Sequence, residues 1–508
     1  MAKVVLVIYF MLVQYYELIL KRGNDMSESI PHWLSKQAEL KPDLIAVETE
    51  NGDMITFQEL CEQSKSYAKK LAHLGVAKGD HVGILSTNDL SMVIAIHALS
   101  YLGAVIVLLN TKLTSHELQY QIDDAEMSKL LYLDSFSKKA NHLKVHEKIS
   151  FTDVNSYEEK ECSLQLEINL QETFTIIYTS GTTGFPKGVI HTYGNHWWSA
   201  IGSALNLGLS HQDKWLAVLP FFHVGGLSIL LKSVIYGMPV YLMKKFDENL
   251  FKYAIMEKNI TIASVVTVML QRLLNDLGED HYPDSFRCML LGGGPAPESV
   301  LLQAKESSVP VFQSYGLTET SSQIVTLSPP DALRKLGSAG KPLTPAQLKI
   351  DAKSPQNIGE IYVKGPMVTK GYFKNDLANK ESIKNGWLKT GDLGYLDEDD
   401  FLYIVDRRSD LIISGGENVY PSEIEECLLK IQGVKEVGVT GVFDDKWGEV
   451  PVAFIVQREG FNITEDDVIY FSKKMLASYK IPKAIYFVDE LPRNASNKLV
   501  RHQLKKLI

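Results

Sequence analysis

Short apolar runs separated by polar turns open the chain and predict strands and helices in quick succession. The runs at 45–47 and 54–55 flank Asn51-Gly52, a pair that favours a tight hairpin between two strands. Thr56 and Glu59 follow at the spacing of a capping box, so a helix is expected to begin there.

Beyond this hairpin the pattern indicates strands that alternate with helices. Apolar runs predict a strand at 81–85, an apolar helix at 91–102 and a further strand at 104–109. Similar alternation continues past Lys245. It predicts an α/β architecture in which helices cover largely parallel sheets.

From about residue 350 the pattern is more typical of antiparallel strands. Such strands are expected within 351–363 and 369–372, and residues 394–405 predict a hairpin with an acidic turn at 397–400. The best domain boundary lies directly after this hairpin. We therefore expect a large N-terminal domain at 26–408 and a small C-terminal domain at 409–508.

The C-terminal domain has its own α+β pattern. Ser422 and Glu425 form a second capping box directly after Pro421, and apolar residues then recur at helical spacing. Strands are expected around 434–442 and 452–457. This part of the chain could bury a core of its own.

Composition narrows the class of protein. A chain of 508 residues is too long for one compact core, and a net charge of -9 gives no broad basic surface for nucleic acid or anionic lipid. The four cysteines are scattered and predict neither a zinc site nor a disulfide framework. A reducing, cytoplasmic location suits them. The sequence leaves the oligomeric state open.

The first 25 residues differ from the rest. The apolar stretch 4–20 is interrupted by Gln14 and Glu17, is short for a membrane span and lacks a signal-peptide cleavage site. A polar, helix-like segment begins after Met26. We interpret residues 1–25 as a non-native upstream extension and expect no stable membrane insertion; a membrane anchor is the alternative.

The most specific motif follows a predicted buried strand at 174–177. Its hydroxyls, glycines and final lysine suit a polyphosphate, because glycine lets backbone N–H groups approach an anion. A magnesium-binding P-loop is excluded, since Gly188 follows Lys187 where Ser or Thr is required. A plain surface loop is the alternative. The run reads Tyr178, Thr179, Ser180, Gly181, Thr182, Thr183, Gly184, Phe185, Pro186, Lys187 and Gly188.

Further segments suit a nucleotide pocket. In the run 313–320, Tyr315 could stack on a base beside Gly316, Thr318 could donate to a phosphate, and Glu319 could hold Mg²⁺. A surface turn leading into a helix is the alternative. The glycine run 292–294, which includes Gly293 and Gly294, would let a flat ligand lie against bare backbone.

Three polar residues complete the set. Asp392 is expected in a loop, where it could accept from both ribose hydroxyls. His223, within the aromatic run 220–226, is either a core histidine or a gate between the acid substrate and the phosphates. Lys498 lies between Pro492 and Arg501, and only this spacing distinguishes it from an ordinary surface lysine.

Together these segments resemble the acyl-adenylate-forming superfamily, over essentially residues 27–508. The resemblance implies two α/β subdomains and a β-rich subdomain, followed by a small mobile α+β domain. It implies that Lys498 is the catalytic lysine and that Asp392 and Arg407 contact ribose. It also implies that Glu319 holds magnesium, that Ser409 is the hinge, and that Gly415 and Gly416 line a thiol tunnel. Asn497 departs from the usual glycine.

The resemblance implies an acid–thiol ligase that uses ATP, Mg²⁺ and CoA. A carboxylic acid would be activated as acyl-AMP and then transferred to CoA. Within the superfamily the chain is most similar to the 2-succinylbenzoate–CoA ligases of bacterial menaquinone synthesis, whose acid would lie near His223, residues 264–267 and the glycine run 292–294. The alternatives are a general fatty- or aryl-acid CoA ligase and a non-catalytic acyl- or nucleotide-binding protein.

Overall fold

The structure is a computed structural model that describes residues 28–180, 186–293, 296–332, 334–335, 337–352, 358–406, 411–492 and 499–508. It confirms a mixed α/β protein with a large N-terminal part and a small C-terminal domain. None of the described helices is both long enough and apolar enough to cross a membrane.

The first sheet of the N-terminal part is parallel at its centre and antiparallel at one edge. The two strands that flank residues 181–185 of the predicted phosphate loop pair with each other in this sheet. In spatial order its strands are Gly371–Tyr372, Pro186–Thr192, Thr173–Ser180, Val105–Leu108, His81–Leu85, Lys129–Tyr132 and Glu147–Ser150.

The second sheet joins a parallel α/β half to an antiparallel, β-rich half. The join is made where Val325 pairs with Pro342 and Thr326 with Lys341. In spatial order its strands are Gln347–Ala352, Gly359–Lys364, Trp387–Leu396, Leu402–Asp406, Ser338–Pro342, Ser322–Leu327, Val311–Leu317, Cys288–Gly292, Ile262–Val266, Trp215–Ala217, Val240–Leu242, Ile45–Thr49 and Met54–Thr56; Ile383–Lys384 pairs with Trp387–Leu396.

Helices cover both sheets, and their apolar faces form the buried cores between the layers. A small ladder of Ser29–Pro31 with Glu167–Asn169 lies apart from both sheets. The N-terminal helices are Trp33–Leu40, Phe57–His73, Leu90–Leu102, Ser115–Asp124, Ser137–Asn141, Phe151–Asn155, Tyr193–Leu207, Val224–Tyr236, Glu248–Glu257, Thr267–Leu277, Glu298–Glu306, Pro329–Ala332 and Asp376–Ser382, with 3₁₀ turns at Asp134–Phe136 and Thr318–Thr320.

The C-terminal domain has its own sheet and its own apolar core. Its strands, in spatial order, are Glu417–Val419, Ile412–Ser414, Gly448–Gln457 and Val434–Asp444, with Ala484–Phe487 pairing with Gly448–Gln457. Its helices are Pro421–Leu428, Glu465–Met475 and Arg501–Leu504, with 3₁₀ turns at Ser478–Lys480 and Lys505–Leu507.

Most local predictions are confirmed. The hairpin at Asn51-Gly52 pairs Ile45–Thr49 with Met54–Thr56, and Thr56 and Glu59 make the reciprocal bonds of a capping box. The hairpin with the acidic turn is present as Trp387–Leu396 and Leu402–Asp406.

The second predicted capping box is wrong. The helix begins at Pro421, with Tyr420 in the N-cap position, so Ser422 lies inside the first turn. Proline suits this first position because its fixed φ is already helical and the N–H it lacks would have no helical partner. Glu425 is used elsewhere, since its carboxylate accepts from the Val439 amide at 2.8 Å.

Candidate active site

A cavity of about 840 Å³ lies between the N-terminal part and the C-terminal domain. It begins at the carboxyl ends of parallel strands in the second sheet, where ligands bind in open α/β folds. The cavity brings together residues that are far apart in sequence. Those predicted for the site are Thr179, His223, Gly293, Gly316, Thr318, Glu319, Asp392, Gly415 and Gly416.

The turn Thr318–Thr320 presents the candidate phosphate and metal groups. Glu319 is 5% exposed, and its Oε1 accepts a hydrogen bond from the Tyr372 hydroxyl at 2.8 Å. Gly316 precedes the turn, and a Cβ there would lie only 2.1 Å from the Ser322 carbonyl oxygen. Glycine is therefore required for the chain to fold back on itself at this point.

A buried histidine, His191, is hydrogen-bonded to the same turn. His191 Nε2 donates to the Thr318 carbonyl at 2.7 Å, and His191 Nδ1 lies 3.3 Å from the Thr175 hydroxyl. Burial lowers the pKa of His191 to about 4, although the bond to Thr318 opposes this. The ring is therefore neutral near pH 7, and its Nδ1 accepts from Thr175.

Lys187 lies close to this group. It pairs with Thr179 across the hairpin that flanks the phosphate loop, and its Nζ lies 5.4 Å from the centre of the Tyr372 ring. Tyr372 therefore touches both a candidate phosphate lysine and a candidate metal carboxylate. A positive charge over an aromatic face is a favourable contact.

Asp392 lies in the strand Trp387–Leu396, so the expected loop position is wrong. Its amide donates to the Thr390 hydroxyl at 3.1 Å, and its Oδ2 accepts from the Tyr315 hydroxyl at 2.7 Å. Tyr315 is 1% exposed and packs in the core beside the cavity. In this arrangement the tyrosine orients the aspartate.

His223 contacts the C-terminal domain across the cavity. Its Nε2 lies 3.0 Å from Glu417 Oε2, while Lys112 Nζ donates to Glu417 Oε1 at 2.7 Å. Burial acts to raise the pKa of the Glu417 carboxyl, but His223 and Lys112 outweigh it and lower this pKa to about 2. Glu417 is therefore a carboxylate, and Nε2 of His223 must carry the hydrogen.

The end of the cavity nearest the parallel strands is lined by Trp215, Ser264 and Val266. The Trp215 Nε1 donates to the Ser264 hydroxyl at 3.0 Å. Lys232 Nζ lies 5.2 Å from the centre of the Trp215 ring. The amine of Lys232 is thus buried behind the Trp215 ring, which lines the cavity.

Lys232 is 2% exposed, and within the described part of the chain its Nζ has no hydrogen-bond partner. Burial lowers its pKa to about 7. No sequence motif includes this residue, although a lysine in the largely apolar helix Val224–Tyr236 is unusual. A buried ammonium is costly without an anion, which is why burial lowers this pKa.

The side of the cavity in the C-terminal domain is formed by the loop between Ile412–Ser414 and Glu417–Val419. Gly415 and Gly416 both have positive φ, at 59° and 84°. A Cβ on Gly416 would lie 3.1 Å from Val266 of the N-terminal part. Glycine therefore lets the two domains approach closely here.

Several predicted residues lie outside the described residues. They are Gly181, Thr182, Thr183, Gly184, Gly294, Arg407, Ser409 and Lys498; the side chain of Ser180 is also not described. Their roles remain predictions.

The chain matches the AMP-binding enzyme family over residues 34–373 and the AMP-binding enzyme C-terminal domain over residues 423–498. It therefore belongs to the family of AMP-binding enzymes. The 2-succinylbenzoate–CoA ligase of Oceanobacillus iheyensis is 58% identical over 485 residues, which are 95% of this chain and 100% of that relative.

The o-succinylbenzoate CoA synthetase of Bacillus subtilis is 48% identical in three solved states that each cover 94% of this chain. A double mutant bound with the product analogue OSB-NCoA gives a TM-score of 0.90 and is covered to 98%. The complex with the acyl-adenylate intermediate OSB-AMP gives a TM-score of 0.74, and 98% of that chain is covered. The complex with ATP and magnesium ion gives a TM-score of 0.73, and 100% of that chain is covered.

These values differ although sequence identity and coverage are nearly the same. The difference therefore reflects how the parts of that synthetase are arranged rather than its fold. The arrangement of the present chain resembles that of the complex with the product analogue.

Proposed function

We propose that this protein ligates 2-succinylbenzoate to CoA through an acyl-AMP intermediate, at the expense of ATP, in menaquinone biosynthesis. The observation that carries the proposal is the shared cavity, in which candidate nucleotide residues meet a loop of the C-terminal domain. The names of the similar proteins support the choice of acid.

In the first half-reaction a carboxylate oxygen of the acid attacks the α-phosphorus of ATP. An oxygen–phosphorus bond forms, and the bond to pyrophosphate breaks. Thr179, Thr318 and Lys187 would hold the phosphates, while Lys498 would neutralise charge on the transferring group. Such catalysis consists mostly of positioning and electrostatic stabilisation.

Magnesium fits the candidate donors. Mg²⁺ prefers oxygen ligands and is commonly held by one or two carboxylates together with substrate phosphates. Glu319 supplies one carboxylate at the cavity surface, and no cluster of three or more acidic, histidine or cysteine ligands occurs among the described residues. When bound, the ion would supply positive charge against the phosphates.

In the second half-reaction the CoA sulfur attacks the acyl carbon, and the bond from that carbon to the AMP oxygen breaks. Gly415 and Gly416 would line the path of the thiol, and Asp392 would hold the ribose of the leaving AMP. We propose that the C-terminal domain, residues 409–508, turns about Ser409 between the two steps.

Lys232 would favour an acid that carries a second negative charge. The succinyl carboxylate of 2-succinylbenzoate must face the α-phosphorus, so its ring carboxylate points away from the nucleotide. A cation near Trp215 would then lie on the correct side of the cavity. A monocarboxylic fatty acid would leave this cation without an anion.

The deciding experiment measures pyrophosphate release with a panel of acids. Release with 2-succinylbenzoate alone supports the proposal, whereas release with fatty acids or 4-coumarate in its place identifies a general acyl-CoA ligase. Silence with every acid, under conditions in which ATP binds, identifies a binding protein. We also expect a cytoplasmic location, which the free thiols of Cys61, Cys162, Cys288 and Cys427 suit.

A further inference from the structure

Residues 110–117, here called the docking segment, lie in the N-terminal part and contact the C-terminal domain at several points. Lys112 Nζ donates to Glu417 Oε1 at 2.7 Å, and Asn110 Nδ2 donates to Glu417 Oε2 at 3.4 Å. The Thr114 hydroxyl lies 3.1 Å from the Met475 carbonyl oxygen. One short stretch of chain therefore contacts two separate parts of the small domain.

The strongest of these contacts is buried. Lys480 of the C-terminal domain donates to Glu117 Oε1 at 2.7 Å and to Glu423 Oε1 at 2.6 Å. Its side chain is 4% exposed, and each carboxylate is 7% exposed. Lys480 and Glu423 belong to the same domain, whereas Glu117 belongs to the other.

The neighbouring groups keep Lys480 charged. Burial acts to lower the pKa of Lys480, but Glu423, Tyr479 and Glu117 outweigh it and raise this pKa. A lysine held charged away from water needs its carboxylates, and removing one partner of such a group is costly. The bond from Lys480 to Glu117 is therefore a specific ionic contact between the two domains.

The docking segment is fixed by its own domain before it meets the other. Lys139 Nζ donates to the carbonyls of Thr111 and Leu113, each at 2.7 Å. Thr114 and Glu117 also form a capping box at the start of the helix Ser115–Asp124. The segment therefore needs little ordering when the domains meet.

An apolar contact lies beside the ionic one. Ala477, two residues before Tyr479, is buried in the core cluster that contains Leu113 and Leu118 of the N-terminal part. The Glu117 carboxylate and the apolar residues Leu113 and Leu118 thus pack near one turn of the C-terminal domain, which includes Ala477 and Lys480.

We propose that the docking segment positions the C-terminal domain for thioester formation, with Glu117 and Lys480 as the decisive pair. This inference rests on the proposed function, because it concerns the second half-reaction. When the small domain turns away, Lys480 keeps its bond to Glu423 and Glu117 keeps its capping bonds. Of the contacts in this cluster, only the bond between Lys480 and Glu117 is lost. The arrangement described here resembles the product-analogue complex, in which that bond is expected.

The test compares the two half-reactions in Glu117→Gln. Glutamine can preserve the capping box through its amide oxygen, while it removes the charge and replaces the oxygen that accepts from Lys480 with an NH2 group. We expect CoA-dependent consumption of supplied acyl-AMP to slow by about tenfold, within the usual range of coupling between conformational states, while acid-dependent pyrophosphate release is unchanged. Glu147→Gln, which removes a carboxylate paired with Lys129 inside the N-terminal part, is the matched control.

A second variant separates positioning from folding. Lys480→Arg should retain most of the thioester-forming rate, because guanidinium also binds two carboxylates, whereas Lys480→Met should lose it. Equal loss of both half-reactions in Glu117→Gln, or no loss in either, would overturn the inference. Failure of the wild-type protein to release pyrophosphate with 2-succinylbenzoate would instead count against the proposed function alone.

Discussion

The hydroxyl of Tyr372 donates to Glu319 Oε1 at 2.8 Å, although 53 residues separate the two along the chain. The contact exists because the short strand Gly371–Tyr372 leaves the β-rich region and pairs with Pro186–Thr192 of the first sheet. A residue that sequence analysis did not select thus orients the carboxylate expected to hold magnesium.

Replacing Tyr372 with phenylalanine should weaken the response to magnesium. The change removes one hydrogen bond to a carboxylate, a bond worth about 1.5–3 kcal/mol, and leaves the ring beside Lys187. We expect the magnesium concentration for half-maximal pyrophosphate release to rise by about tenfold, with little change in the use of supplied acyl-AMP. Tyr395→Phe in the β-rich half is the control, and an equal shift there would contradict the assignment.

Lys498→Ala should abolish formation of acyl-AMP and spare thioester formation from supplied acyl-AMP. The reason is that this lysine is expected to neutralise charge only in the first transition state. Pyrophosphate release and thioester formation are measured separately. Parallel loss of both would show that the lysine serves the two steps together.

Lys232→Met should change the choice of acid. The pKa of Lys232 lies at about 7 because of burial, so its charge, and with it the attraction for a second carboxylate, decreases as pH rises through 7. In the wild type, KM for 2-succinylbenzoate should therefore rise between pH 6.5 and 8.5. In Lys232→Met we expect KM to be raised by about tenfold or more at pH 6.5, with no such pH dependence.

A substrate analogue provides the control for this charge. 4-Oxo-4-phenylbutanoate lacks the ring carboxylate, so its KM should be nearly equal in the wild type and in Lys232→Met. Lys129→Met, which removes a lysine from the other sheet, should leave both acids unaffected. A similar rise in KM for the two acids would show that Lys232 supports the cavity and does not attract the second carboxylate.

Gly416→Ala should slow thioester formation more than acyl-AMP formation. An added methyl group would lie 3.1 Å from Val266 and would occupy a left-handed backbone conformation. Gly460→Ala is a matched control, since that glycine also has positive φ in the same domain but has nothing within 4 Å. If both variants reduce the two half-reactions equally, backbone strain alone is the cause.

The N-terminal part should lose stability in mild acid. Burial lowers the pKa of His97 and His191 to about 4, and it lowers the pKa of His32 and His196 as well. These values lie below the ordinary 6.5, so the unfolded chain binds more protons and the free energy of unfolding falls as pH decreases from 6.5 towards 4. The cost at pH 4 is about 3 kcal/mol for each of His97 and His191.

Urea unfolding between pH 4 and 7.5 measures this loss. His97→Gln should flatten the dependence on pH, because glutamine does not titrate, even if its stability at neutral pH is lower. His211→Gln, at an exposed position, should keep the wild-type slope. An unchanged slope in His97→Gln would contradict the assignment.

Local patterns predicted the fold well because the signals are local. The turn at Asn51-Gly52, the capping box at Thr56 and the acidic hairpin each depend on a few neighbouring residues. The prediction of a capping box at Ser422 was wrong because the preceding proline favours the first position of a helix. The helix therefore begins at Pro421, one residue before the predicted N-cap. Asp392 was expected in a loop, but it lies within the strand Trp387–Leu396.

The site was predicted only in part, because its supporting contacts join distant segments. Residues in contiguous motifs, such as Thr318 and Glu319, were found from their spacing. Glu117 and Lys480 are separated by 363 positions, and neither lies in a motif. Lys232 belongs to no motif, and its burial without a hydrogen-bond partner among the described residues is evident only from the structure.

The residues proposed to hold the phosphates, the acid and the thiol lie in three separately packed units. The first sheet carries Lys187, the parallel half of the second sheet carries Trp215 and Ser264, and the small domain carries Gly416. Substitutions that reshape the acid end therefore need not disturb the other two units. A fold divided in this way can exchange one carboxylic acid for another during evolution while the nucleotide chemistry and the thiol chemistry stay the same.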